Sequence, residues 1–201
     1  NAASAATTVT ITITGSNDQP TLTILDTVGA LTEGNGAATL TDSGALSFND
    51  LDSNDAVLVS QSSNHDIVWS GGTLGAGVAA ALVAGFSVDQ DSWDYSASQN
   101  LDFLRAGETI TFSYNVVATD DSGAGNAASA ATTVTITITG SNDAAVLSSD
   151  TRNLVETNSV LSTTGTLTIS DVDSSETFVA QAGTVGTYGT FAIDTAGAWT
   201  Y

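Results

Sequence analysis

Apolar and polar positions alternate along this chain in short runs. TTVTITIT (132–139) sets Val134, Ile136 and Ile138 against intervening threonines. A period of two predicts a strand with one buried and one wet face. TITFSYNVVAT (109–119) and GTLTIS (165–170) alternate in the same way. Thr, Val and Ile suit such a surface because branching at Cβ fits the pleat. Clusters of Gly, Asn, Asp and Ser punctuate the runs and mark turns. The exception is GAGVAAALVAG (Gly75–Gly85), whose alanines predict one or two helical turns in a connection. Many short strands with turns between them predict an all-β, antiparallel sandwich of Greek-key type.

An exact internal repeat divides the chain. NAASAATTVTITITGSND occupies Asn1–Asp18 and recurs without change at Asn126–Asp143, 125 positions later. Eighteen identical residues mark duplication or an array of near-identical modules. Three pieces follow. Residues 1–18 read as the C-terminal strand of a preceding repeat, 19–143 as a complete repeat, and 144–201 as the N-terminal part of a following one. The third piece aligns with the second: LTEGN (31–35) with LVETN (154–158), ALSFNDLDSND (45–55) with TLTISDVDSSE (166–176), and FSVDQDSWDY (86–95) with FAIDTAGAWTY (191–201). By this alignment the third piece lacks its final strands and leaves an open sheet edge. Truncation of a longer chain explains that edge. The competing explanation is strand addition, with Asn1–Asp18 of one copy completing the sheet of another.

Charge then narrows the function. Among 201 residues, 22 are acidic and two are basic, Arg105 and Arg152; lysine is absent and the formal net charge is -20. Electrostatic binding to nucleic acid is excluded, because it needs a basic patch. Docking on an anionic membrane is disfavoured for the same reason. Without cysteine there are no disulfides or thiolate metal sites, and the lone His65 argues against zinc, copper and haem. The longest apolar stretch, Ala79–Gly85, is too short to span a bilayer, and no signal peptide is visible. With so few cations the carboxylates need a counterion from outside, and a divalent cation is the simplest.

The acids are clustered. Asp50, Asp52 and Asp55 stand in FNDLDSND with Asn49 and Asn54; Asp120 and Asp121 stand in ATDDSG; Asn17–Asp18 recur as Asn142–Asp143 at the boundaries; and Asp171, Asp173 and Glu176 repeat the first pattern in the third piece. On a Greek-key sandwich, the strand ending at Asn49 and the strand ending at Thr119 both return to the pole where the linker enters. That places the first three clusters together. Glu33 follows Asp18 by fifteen residues. At about 3.3 Å each, these allow up to about 50 Å of extended chain. Glu33 is therefore expected at the opposite pole, facing Asn142, Asp143, Asp171, Asp173 and Glu176. Glu156, aligned with Glu33, joins the candidate ligands. Calcium accepts six to eight oxygens in flexible geometry, which carboxylates, amide oxygens and backbone carbonyls supply. The spacing Asp50-x-Asp52-x-x-Asp55 is not the EF-hand loop, which needs a Gly at position six and a Glu at twelve. The plainer alternative is solvated turns, since Asp and Asn favour them. Asp26, Asp42, Asp66 and Asp150 read as surface charge.

Other functions find less. No convergent catalytic set is visible, so the chain reads as a non-enzyme. Asp120–Asp121 and Asp89–Asp91 are acid pairs without a cleft, and His65 in SSNHD reads as an exposed turn. Trp69, Trp93 and Trp199 could stack on a glycan, but Trp93 and Trp199 hold matching repeat positions, which points to the core.

Several motifs resemble one family. GSND at a module end, Thr-Glu or Val-Glu early in the module, D-x-D-S, GTYGTF (186–191), AWTY (198–201), A-G-E-T and D-D-S-G are similar to the VCBS-type, cadherin-like immunoglobulin repeats of giant RTX-type bacterial surface adhesins. GTYGTF with AWTY is the most specific part; FSVDQDSWDY in the complete repeat departs from it. The resemblance implies tandem Ig-like, cadherin-like Greek-key sandwich modules that act as biofilm-adhesin extenders. It implies type I secretion to the cell surface and Ca2+ at the junctions between neighbouring repeats. Carried over by position, Asn17, Asp18, Asp50, Asp52, Asp120 and Asp121 would serve one junction. Glu33, Asn142, Asp143, Asp171 and Asp173 would serve the next.

Overall fold

The computed structural model describes residues 2–201 and builds a two-sheet sandwich from residues 21–139. One sheet has the order β1 (Thr21–Ile24), β3 (Thr39–Asn49), β7 (Ser92–Ser98), β6 (Phe86–Val88). The other has the order β2 (Val28–Thr32), β9 (Thr132–Thr139), β8 (Thr109–Thr119), β4 (Leu58–Ser63), with the short β5 (Val68–Trp69) also on β8. The first stretch of chain thus splits between both sheets. The predicted helical turns are α1 (Ala76–Val83), which lies in the connection between the sheets and buries Leu82.

The alternation is realised as burial. Ile110, Phe112, Tyr114 and Val116 of β8 point inward with Val134, Ile136 and Ile138 of β9. Trp93 and Tyr95 of β7 meet them from the other sheet, and Phe86 stacks on Tyr114 with ring centroids 4.1 Å apart. Trp69 is half-buried against Phe103. His65 sits exposed in its turn with φ 56°.

Strand direction decides which loops share a pole. β3 pairs antiparallel with β7, and β8 antiparallel with β4 and β9. The loops after β3 and β8 lie together at the upstream pole, where the Ala56 N–H donates to Asp121 Oδ1, and the linker 17–19 lies beside them. β2 pairs parallel with β9, in the register Thr32↔Thr139. The residue after each strand then lies at the downstream pole. The Glu33 N–H donates to Thr139 O at 2.9 Å there.

Beyond Asp143, β10 (Val146–Leu147) pairs with β12 (Ile169–Ser170). β11 (Thr164–Thr166), β15 (Ala198–Thr200), β14 (Thr190–Ile193) and β13 (Gln181–Val185) form a four-stranded sheet in that order. GTLTIS, expected as one strand, is broken at Leu167–Thr168, and its halves join different sheets. Its counterpart β3 runs unbroken because β1 and β7 pair with successive parts of it. The alignment of the two repeats holds in three dimensions: Trp93 lies opposite Gly44, and Trp199 opposite Gly165. Phe86 stacks on Trp93 at 5.8 Å, and Phe191 on Trp199 at 6.1 Å.

Residues 2–18, expected as a strand, form none in this structure. Val9, Ile11 and Ile13 are 81%, 81% and 90% exposed, because no neighbouring strand offers them hydrogen bonds or an apolar face. Among the described residues, no helix is long and apolar enough to cross a membrane.

Candidate metal centre at the module junctions

The upstream junction is assembled from three loops. The linker crosses the end of the sandwich, and the Asp18 N–H donates to Asp52 Oδ2 at 2.6 Å. Within the loop after β3, the Asp52 N–H donates to Asp50 Oδ1 at 2.9 Å, and the Asp55 N–H to Asp52 O at 2.9 Å. The loop after β8 closes the third side. Asp121 Oδ1 accepts the Ala56 N–H at 2.9 Å, and Asp120 Oδ2 accepts from Asn17 Nδ2 at 3.2 Å. Asn126 Nδ2 donates to the Asn17 carbonyl at 2.8 Å and ties the linker down. An open cavity of about 380 Å³ lies here, lined by Asn17, Asp52, Asn54, Asp55 and Ser122 among others.

The downstream junction repeats this wiring. The Asp143 N–H donates to Asp173 Oδ2 at 3.3 Å, and the Asp173 N–H to Asp171 Oδ1 at 3.2 Å. Asn17 and Asn142 make the same bond to the carbonyl of the following aspartate. Glu33 reaches this linker: Glu33 Oε1 accepts from the Ser141 N–H and hydroxyl, both at 2.9 Å. Glu33, Asp143 and Asp173 are buried. Glu176 Oε1 accepts the Asp171 N–H at 3.4 Å. Glu156 is exposed, in a stretch that forms no strand. In the middle repeat, parallel pairing carries Glu33 to its linker. The segment around Glu156 has no such strand beside it.

The electrostatics are uncompensated. Among the described residues, the one salt bridge joins Arg152 to Asp150 at 2.9 Å, away from both linkers. Burial, then repulsion from Asp102, Glu33, Asp173 and Asp171, pushes the Asp143 carboxyl above the usual carboxylate range. Burial and repulsion from Asp52, Asp121, Asp120 and Asp50 do the same to Asp55. Asp120 goes the other way, because the Ser122 hydroxyl, backbone Ser122 and Asn17 all donate to it against a smaller cost of burial.

The residues fit a hard cation. Six buried side-chain polar atoms among those described lack a hydrogen-bond partner, and five are oxygens at these junctions: Asn17 Oδ1, Asp50 Oδ2, Glu33 Oε2, Asp143 Oδ2 and Asp173 Oδ1. Orphaned buried acceptors are rare and ask for an explanation such as an ion. Several of these carboxylates place one oxygen on a backbone N–H and leave the other free. Among the described residues, no group of three or more His, Asp or Glu side chains is gathered tightly enough to hold a metal ion by itself. Amide and carbonyl oxygens would have to complete a shell here.

Two residues escaped the sequence reading. Asp102, in the loop between β7 and β8, faces Asp143 from the downstream pole and accepts the Gly36 N–H at 2.6 Å. Asn126 opens the repeated block, but all eighteen of its residues are identical, which hid any individual role.

A titration of the Asp143 carboxyl by NMR tests this electrostatic picture. In chelator its midpoint should lie above the ordinary aspartate value. A raised folded pKa means the junction is unstrained while Asp143 is protonated. That stability is lost as pH rises through the folded value. A cation bound there favours the ionised form, so calcium should move the midpoint below the ordinary value. A midpoint that ignores calcium would count against a cation at Asp143.

No family model and no curated protein matches the chain. Among solved structures, it is similar to the crystal structure of Drosophila N-cadherin EC1-4, at 12% identity and a TM-score of 0.34, over 92% of this chain and 42% of that one. The chain spans less than half the length of that neighbour. Its own strand pairing defines the class: an Ig-like β-sandwich in tandem repeat, with acid-lined junctions.

Proposed function

We propose that this chain is a non-enzymatic extender segment of a secreted bacterial surface adhesin, in which Ca2+ at the module junctions fixes each repeat against the next. The observation that carries this reading is the set of orphaned buried oxygens at the two linkers. It is supported by the matching hydrogen-bond wiring of the two junctions and by the net charge of -20. The motifs shared with VCBS-type repeats of RTX adhesins supply the surface and biofilm setting.

Each residue has a mechanical task. The Asp18 and Asp143 N–H groups hold the linkers against the D-x-D loops that follow. Glu33 clamps Ser141, so the upstream repeat grips the linker from its other side. Asn17, Asp50, Asp120 and Asp121, and at the second linker Asn142, Asp143, Asp171 and Asp173, would supply the donor oxygens. Bound there, Ca2+ supplies the positive charge that lets these oxygens stay ionised together and ties three loops into one unit.

Replacing both Asp171 and Asp173 by Asn should reduce the calcium stoichiometry measured by titration calorimetry. It should also broaden the particle dimensions in solution scattering, while the complete repeat keeps its own melting transition. Unchanged stoichiometry together with unchanged dimensions would sink the assignment.

A further inference from the structure

Arg105 occupies an unusual position for one of only two cations in the chain. It lies in the loop between β7 and β8, at the downstream pole of the middle repeat. Its Nε–H donates to the backbone carbonyl of Asp173, 68 residues away, at 2.9 Å. That carbonyl belongs to the D-x-D loop of the next repeat. Arg105 makes no pair with a carboxylate within 4.0 Å, although Asp102, Asp143 and Asp171 are all at this junction.

The loop that carries Arg105 is held firmly. Leu101 and Leu104 are buried in the core. Glu108 N–H donates to Arg105 O at 2.9 Å, and Arg105 N–H to Glu108 Oε2 at 3.3 Å. Gly107 N–H donates to Gly140 O at 3.0 Å, and Gly140 N–H to Glu108 O at 2.8 Å. Gly140, the last residue before the linker, packs so closely that a Cβ there would lie 2.4 Å from Arg105 O. The guanidinium is therefore projected from a rigid shelf welded to the root of the linker. A planar donor group on such a shelf loses little freedom when it bonds.

We infer that Arg105 is a cation-independent latch between repeats. Its Nε–H docks the D-x-D loop of the following repeat onto the preceding one and positions that loop before any metal arrives. Arg105 is a positioning residue: it touches a backbone carbonyl and supplies no ligand. The latch is independent of the calcium reading, because it operates on protein groups alone.

The test separates a hydrogen bond from a charge. The Gln side chain places an N–H donor where Arg has Nε, without charge. The Met side chain has similar length and neither donor nor charge. Spin labels on Cys introduced at the exposed Ser60 and Ala182 report the distance between repeats by pulsed electron spectroscopy. In chelator, wild type and Arg105→Gln should show the same distribution, broader than in calcium. In Arg105→Met, the ratio of undocked to docked molecules should rise about five- to tenfold, the worth of one ordinary net hydrogen bond. If Arg105→Met stays as narrow as wild type in chelator, or Arg105→Gln broadens as much as Arg105→Met, the latch is overturned. Calcium added afterwards should narrow the Arg105→Met distribution. Failure of that step alone counts against the calcium reading and leaves the latch standing.

Discussion

Millimolar calcium should raise the melting temperature of the chelated chain by roughly 10 °C. A ligand that binds only the folded state adds about 2.7 kcal/mol when present at a hundredfold excess over its dissociation constant. For a domain of this size each kcal/mol moves the midpoint by roughly 3–5 °C. The shift has a specific structural origin. Folding buries Asn17 Oδ1, Asp50 Oδ2, Glu33 Oε2, Asp143 Oδ2 and Asp173 Oδ1 without partners, and each such group costs about 1–3 kcal/mol until something satisfies it. Magnesium should give a much smaller shift, because it demands stricter octahedral geometry and keeps its waters. Scanning calorimetry in calcium, magnesium and chelator checks all three. Superimposable melts would return the acid clusters to solvated loops and remove calcium from the mechanism.

Trp93→Ala should cost about 3–5 kcal/mol, enough to threaten a domain of ordinary stability. Trp93 is fully buried, stacks on Phe86, and donates from Nε1 to Asp26 O at 2.8 Å. Its ring lies flat over Gly44, where a Cβ would meet Nε1 at 2.3 Å and Cε2 at 2.6 Å. Gly44→Ala should therefore destabilise by overpacking, about 1–3 kcal/mol. The two sites should be coupled: in a Trp93→Phe background the smaller ring leaves room, and most of the Gly44→Ala cost should vanish. Denaturant unfolding of wild type, Gly44→Ala, Trp93→Phe and the double variant measures the coupling. Strict additivity would show that the glycine is kept for a reason other than the indole.

Much of the fold was legible because its signals are local. Period-two alternation in 109–119 and 132–139 marks the strands that carry the centre of the core, and the alanines of 75–85 mark α1. The exact repeat places the module boundary, and the matched Trp93 and Trp199 indicate core positions. The acid clusters were also visible, since turn chemistry and charge are properties of short segments. The grouping of Asp50, Asp52, Asp120 and Asp121 at one pole needed only the Greek-key order of strands.

What remained out of reach depended on partners distant in sequence. Chain length already allowed Glu33 at the downstream pole, but its bond to Ser141 depends on the parallel pairing of β2 with β9, and register between strands over a hundred residues apart is written in neither alone. Asp102 and Arg105 sit in an unremarkable loop, and only packing brings that loop beside the next repeat. The repeated block shows the division most directly. The same eighteen residues occur twice. One copy contains β9, whose Val134, Ile136 and Ile138 are fully buried between β8 and β2. The other leaves Val9, Ile11 and Ile13 exposed with no strand beside them. Alternation and β-branching determine which face such a segment would bury and how readily it extends. Whether it becomes a strand is decided by the tertiary structure, because its hydrogen bonds and its apolar contacts both belong to neighbouring strands.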